Sequence, residues 1–121
     1  MKNWANTDIV EEINRAYANE RRAYNYNQSA KADAGKLQIS LVPTQIIKDI
    51  AEVRGYGNKK YGDPENWKTV ELQRYIDAML RHTLAFWDDP QSIDEESGLP
   101  HYKHAECNWA FISELINQQE E

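Results

Sequence analysis

Apolar positions in this chain recur mostly at intervals of three, four and seven, the period of an amphipathic helix. Val10, Ile13, Tyr17 and Tyr24 predict a first helix from about Asp8 to Tyr24. Asp8 followed three residues later by Glu11 reads as a capping box. The polar stretch from Asn25 to Gly35 reads as a linker. Leu37 to Val42 alternates apolar and polar residues for four positions, a short extended lead-in. Pro43 then opens a second helix whose buried face is Ile46, Ile47, Ile50, Ala51 and Val53. Gly55 and Gly57 fall inside that pattern and weaken it. The loop Gly62-Asp63-Pro64-Glu65-Asn66 ends it. A third helix runs from about Thr69 to Trp87 on Val70, Tyr75, Ile76, Met79, Thr83 and Phe86, and Asp88-Asp89-Pro90 stops it. A fourth starts near His101 and carries Ala105, Trp109, Ile112, Leu115 and Ile116. With no convincing strand pair, the expectation is an all-α, compact four-helix bundle-like domain with an intersubunit helical interface.

Length changes this picture little. A chain of 121 residues can bury one modest core. No apolar run reaches the roughly 18 residues of a membrane span, and the N-terminus has no signal-peptide pattern. A single cysteine, Cys107, excludes a disulfide framework and a multi-cysteine zinc site. It lies on the apolar side of the fourth helix and is expected in the core. A reduced, cytoplasmic setting follows as the simplest expectation.

Charge changes it more. The net charge is −6, from 14 basic and 20 acidic side chains. It is unevenly spread: residues 1–30 sum to 0, residues 31–87 to +2 and residues 88–121 to −8. An acidic total disfavours direct binding of a nucleic-acid duplex. The basic middle instead offers candidate phosphate ligands and the acidic end candidate metal ligands, in separate segments.

Three constellations could carry chemistry. Glu52, Tyr56, Lys59 and Lys60 lie on neighbouring turns, either as a solvated charged face or beside a ligand that approaches Gly55 and Gly57. Arg74, Asp77 and Arg81 share a helical face, either as an ion-pair ladder or as a phosphate clamp, since the guanidinium fork matches phosphate oxygens. Asp94-Glu95-Glu96 next to His101 and His104 is the densest feature. Its carboxylates either cap the fourth helix or hold a hard cation.

Four stretches occur in a familiar order: Asp33-Ala34-Gly35-Lys36 with Leu41-Val42-Pro43; Tyr56 to Gly62 leading to Asn66-Trp67; Arg74-Tyr75-Ile76-Asp77-Ala78 with Arg81-His82; and Asp94 to His104. Together they resemble the phage-type dATP/dGTP diphosphohydrolase N-terminal-domain family, which is similar to the MazG-like all-α nucleoside triphosphate pyrophosphatases. The likeness covers about residues 31–114 and sets residues 1–30 apart from a domain of residues 31–121. It implies Mg²⁺- or Mn²⁺-dependent hydrolysis of dATP or dGTP to monophosphate and pyrophosphate, in a homodimer or higher homo-oligomer. For a phage protein the compartment would be the host cytoplasm.

By position, the resemblance gives Lys36, Lys60, Arg74 and Arg81 to the phosphates, and Asn66 and Trp67 to the nucleotide pocket. Asp77, Asp94 and Glu96 would hold metal. His82 would orient substrate, and Glu96, His101 and His104 would serve catalysis. The MazG-like E-E-x-x-E and E-x-x-D motifs are replaced: Arg15 follows Glu11-Glu12, and Asp49-x-x-Glu52 stands on the second helix. That departure keeps open a second reading, a non-catalytic helical module that binds a nucleotide or a protein.

Overall fold

A computed structural model describes residues 9–16 and 27–119. The chain divides between Val42 and Pro43 into two compact units. In the N-terminal unit, residues 9–16 are helical and expose Ile9, Val10 and Ile13. The proposed cap Asp8 and the apolar positions Tyr17 and Tyr24 lie outside the described residues. Asn27 caps a short 3₁₀ turn at Gln28–Ala30 by accepting from the Ser29 N–H at 3.1 Å. The expected extended lead-in is instead a 3₁₀ turn at Ile39–Leu41, closed by the Val42 N–H on the Ile39 carbonyl. Leu37, Ile39 and Leu41 are exposed there. An alternating pattern without a partner strand has no ladder to join, so a local turn satisfies the backbone instead.

The described residues of the second unit form three α-helices, α1 (Gln45–Tyr61), α2 (Leu72–Asp88) and α3 (His101–Gln119), joined by turns and loops. Its described residues contain no strand, only an isolated bridge between Ile93 and Pro100. The domain is therefore all-α, as the periodicity predicts. Helix α3 packs against both α1 and α2.

Several boundaries shift from the sequence pattern. Pro43 precedes α1, with Thr44 at the cap position. Gly55 and Gly57 do not interrupt the helix, which continues to Tyr61. It ends at Gly62, whose φ of 72° is the left-handed conformation that glycine adopts without strain, and whose N–H bonds the Asn58 carbonyl at 2.8 Å. The turn Asn66–Thr69 is a separate 3₁₀ element, so α2 begins only at Leu72.

The core is small. Its buried apolar side chains are Val53, Met79, Cys107 and Ile112, one or two per helix. The predicted face of α1 is only partly used: Val53 is buried, but Ile46, Ile47 and Ala51 are exposed. Asp49 takes the buried place one turn before Val53. Phe86, Trp109 and Ile116, also predicted inside, are exposed. Cys107 sits in the core as expected, only 2% exposed, and burial pushes its thiol pKa up to about 11.

Candidate functional site

Three helical stripes face one another across a cleft of about 590 Å³. Val53, Tyr56, Gly57 and Lys60 supply the α1 wall, at i, i+3, i+4 and i+7. Arg74, Asp77, Ala78, Arg81 and His82 supply the α2 wall. His104, Cys107, Asn108 and Phe111 come from α3, which packs against both other helices and forms the floor. The turn after α1 adds Asn66 and Trp67, and the α2–α3 loop adds Asp94 and Glu96.

One end is aromatic. Trp67 stacks on Phe111, with centroids 4.9 Å apart and planes 17° from parallel. Tyr75 lies 4.9 Å from Phe111 and donates its hydroxyl to the Trp67 carbonyl at 2.7 Å. Burial pushes the Tyr75 pKa up to about 12, so it is a neutral donor. The Arg54 guanidinium lies 5.3 Å from the Phe111 ring centroid and also bonds the Pro64 carbonyl, which ties the turn to the helix.

The other end is charged. Lys60 pairs with Glu96, across 36 residues of sequence. That pairing raises Lys60 to about 12. The hydrogen bonds of Lys60 and Tyr56 hold Glu96 below the usual carboxylate range. Asp94 is held in its loop rather than at a helix cap: its Oδ1 accepts from the Ser97 N–H at 2.8 Å. Partial burial opposes ionisation of Asp94, but the Ser97 hydrogen bonds and the nearby imidazoles outweigh it and lower the pKa. Gly98, at φ 75°, turns the loop and donates its N–H to the Asp94 carbonyl at 2.8 Å.

Three histidines converge here. His82 stacks on His104 at 4.6 Å and 14°, and its Nδ1 lies 2.8 Å from the Nδ1 of His101. His104 Nε2 lies 2.6 Å from the Ser97 hydroxyl. Burial, followed by the neighbouring histidines, lowers His82 to about 4. Burial lowers His104 as well. Both rings are therefore neutral at pH 7, with a lone pair available on one nitrogen.

Of the residues singled out in the sequence, Lys60, Asn66, Trp67, Arg74, Asp77, Arg81, His82, Asp94, Glu96 and His104 line this one cleft. His101 does not line it but touches His82. Lys36 belongs to the N-terminal unit. Among the described residues Asp77 forms no ion pair with Arg74 or Arg81; it accepts from Gln73 at 3.0 Å. The ladder reading of that face is thus replaced by three side chains aimed at a cleft.

Asp77, Asp94 and Glu96 do not form a set of three with converging ligand atoms. The set that does, among the described residues, is His82, Asp94 and His101, with ligating atoms all within 4.8 Å of one another. Sequence reasoning passed over Asn108, Phe111, Arg54 and Ser97. The signal for the first two was available, since His104, Asn108 and Phe111 fall at i, i+4 and i+7 on one stripe.

An all-α domain with a cleft that is aromatic at one end and carries cations, carboxylates and imidazoles at the other is the class that fold and site define. The model of the dATP/dGTP diphosphohydrolase N-terminal family matches residues 26–121, and the chain belongs to that family. A protein of Salmonella phage PMBT28 described as dATP/dGTP diphosphohydrolase is 35% identical over 89 residues. That match covers 74% of this chain and 30% of the relative, so the chain spans under a third of the relative's length. No solved structure matches. Among the described residues no helix is long and apolar enough to cross a membrane.

Proposed function

We propose that the cleft binds a purine deoxynucleoside triphosphate, dATP or dGTP, together with a divalent cation. We further propose that it hydrolyses the nucleotide to monophosphate and pyrophosphate. The observation that carries this reading is the polarity of the cleft. Trp67 and Phe111 offer a flat surface for a base. Arg81 stands two turns along α2 from Arg74, about 10 Å away at 1.5 Å per residue, beside the charged end. The family and the name of the phage relative agree with a deoxynucleotide substrate.

The donor set fits a divalent cation. Asp94 is ionised, His82 is neutral, and the ligating atoms of both converge with those of His101. Two imidazoles with a carboxylate suit Mn²⁺ at least as well as Mg²⁺, which prefers oxygen. Asp94 would hold the cation, with Glu96 and Asp77 available from the same cleft. When bound, the cation would offset phosphate charge and polarise the reacting phosphoryl group.

The chain's own groups do the rest. Lys60 and Arg81 neutralise the phosphate oxygens and the leaving pyrophosphate. Asn66 shapes the nucleoside end, and Arg74 joins Lys60 and Arg81 on the phosphate oxygens. Glu96, kept ionised by Lys60 and Tyr56, takes a proton from the attacking water. Ser97 fixes the orientation of His104, and His101 fixes that of His82. The same proposal places the protein in a phage-infected host cytoplasm and in a homo-oligomer.

Purified protein incubated with each of the four dNTPs plus Mg²⁺ or Mn²⁺ should release pyrophosphate from dATP and dGTP. Stepwise release of orthophosphate, or no product with any nucleotide and cation, overturns the proposal. One observation favours a second reading: no three carboxylates converge among the described residues. In that case the domain is a nucleotide-binding module without turnover, seen as binding in the same panel with no product.

A further inference from the structure

Asn108 lines the cleft from the α3 floor and has no part in the reaction proposed above. Its amide is held in one orientation. The Nδ2 donates to the His104 carbonyl one turn earlier, at 2.8 Å. A carbonyl only accepts, so the NH₂ group must face it and the Oδ1 is turned away. Among the described residues that Oδ1 meets no donor, and the buried side-chain oxygen left without a partner is Glu106 Oε2 instead. The Asn108 Oδ1 is therefore a neutral acceptor that reaches solvent, and the solvent beside it is the cleft.

Its position along α3 decides what it meets. Asn108 stands about 6 Å along the helix from His104 and about 4.5 Å from Phe111, at 1.5 Å per residue. It thus lies between the charged end and the aromatic end. With a base at Trp67 and Phe111 and phosphates at Lys60 and Arg81, the sugar falls at the level of Asn108. The walls leave room, since Gly57 from α1 and Ala78 from α2 line the cleft with little or no side chain. The sugar of a 2′-deoxynucleoside 5′-triphosphate carries a single hydrogen-bond donor, its 3′-hydroxyl.

We infer that the Asn108 Oδ1 accepts a hydrogen bond from the 3′-hydroxyl of the bound deoxynucleotide. The inference rests on the nucleotide reading of the cleft and deepens it by narrowing the substrate class. The substrate is a free nucleotide with an unesterified 3′ oxygen. A nucleotide within a DNA chain, or one with a 3′-phosphate, has no proton there to give and would set acceptor against acceptor.

The test is calorimetric titration of the full chain, with Mn²⁺, by the α,β-methylene analogues of dATP and of 2′,3′-dideoxy-ATP. Neither analogue can be cut between the α- and β-phosphates. The dATP analogue should bind about threefold to tenfold more tightly, the effect of one neutral hydrogen bond. Asn108→Leu should bring that ratio to one by weakening the dATP analogue alone. The His104 carbonyl keeps its backbone partner inside α3, so the helix does not depend on the amide. Asn108→Asp keeps an acceptor and should keep the ratio, while its charge lowers both affinities together. Equal affinities in the unaltered protein overturn the inference. So does an Asn108→Leu protein that loses both ligands in proportion, the mark of a structural role. A ratio lost in Asn108→Asp as well overturns the assignment to the oxygen. If neither analogue binds, the nucleotide reading falls too, whereas binding without discrimination removes this inference alone.

Discussion

Gly57 lines the cleft from the middle of α1, and a methyl group there would meet no atom within 4 Å. Glycine in a helix interior costs about 1 kcal/mol relative to alanine. Gly57→Ala should therefore raise the melting temperature while placing a methyl group in the space assigned to substrate. Gly55 is equally unobstructed but does not line the cleft. Gly55→Ala should give the same stabilisation with unchanged kinetics. Thermal denaturation read beside KM for dATP checks the pair; equal kinetic effects from both would show that Gly57 is not at the substrate. At the aromatic end of the cleft, Trp67→Ala removes the stacking partner of Phe111, and a base–aromatic stack is worth about 1–3 kcal/mol. It should raise KM by one to two orders of magnitude with a smaller change in kcat. A loss confined to kcat would place the base elsewhere.

The α1–α3 interface carries a cluster of titratable groups outside the cleft. Asp49 is 3% exposed and accepts from Gln45 at 2.9 Å. Lys103 lies 3.6 Å from Asp49 and 2.9 Å from Glu52. Glu106 reaches the same place from α3, and its Oε2 is buried with no hydrogen-bond partner. Burial first, then the Asp49 carboxyl, raises Glu106 to about 7. The folded state thus binds a proton between the ordinary glutamate pKa and 7 that the unfolded chain does not. Stability conferred by that proton is present at low pH and fades as pH rises through 7. Glu106→Gln should flatten the dependence of melting temperature on pH between 5 and 8. A dependence unchanged by the substitution would rule out Glu106 as its source.

This interface also shows what the pattern along the chain could reveal. The three long helices were legible because Val53, Met79, Cys107 and Ile112 fall on helical stripes and turn signals such as Gly62 bound them. Asp49 was not, because a buried carboxylate is stable only through partners such as Gln45 and Lys103, the second of which lies 54 residues away. The cleft was legible where its residues share one helix face, as Arg74, Asp77 and Arg81 do. The grouping of His82 with Asp94 and His101 was not, since it depends on a loop turn made by Ser97 and Gly98.

For the whole molecule, the uneven charge acquires a location. Lys60, Arg74 and Arg81 from the basic middle meet Asp94 and Glu96 from the acidic end in one cleft. Every cleft-lining residue lies in the unit that begins at Pro43, whereas Lys36 does not. The division makes a prediction about which part of the chain holds the site. A shortened protein of residues 43–121 should keep a nucleotide-dependent rise in melting temperature, and only when Mg²⁺ or Mn²⁺ is present. Ligand at a hundredfold excess over its Kd stabilises the native state by about 2.7 kcal/mol. For a unit of this size that corresponds to a shift of about 10 °C or more. The phosphate role that the family resemblance implies for Lys36 can then be read separately. If its ammonium meets a phosphate, Lys36→Ala in the full chain should weaken dATP binding, and the shortened protein should show the same weakening. A shortened protein that is well folded by circular dichroism but shows no shift with any nucleotide and cation would mean that residues 1–42 supply an essential part of the site.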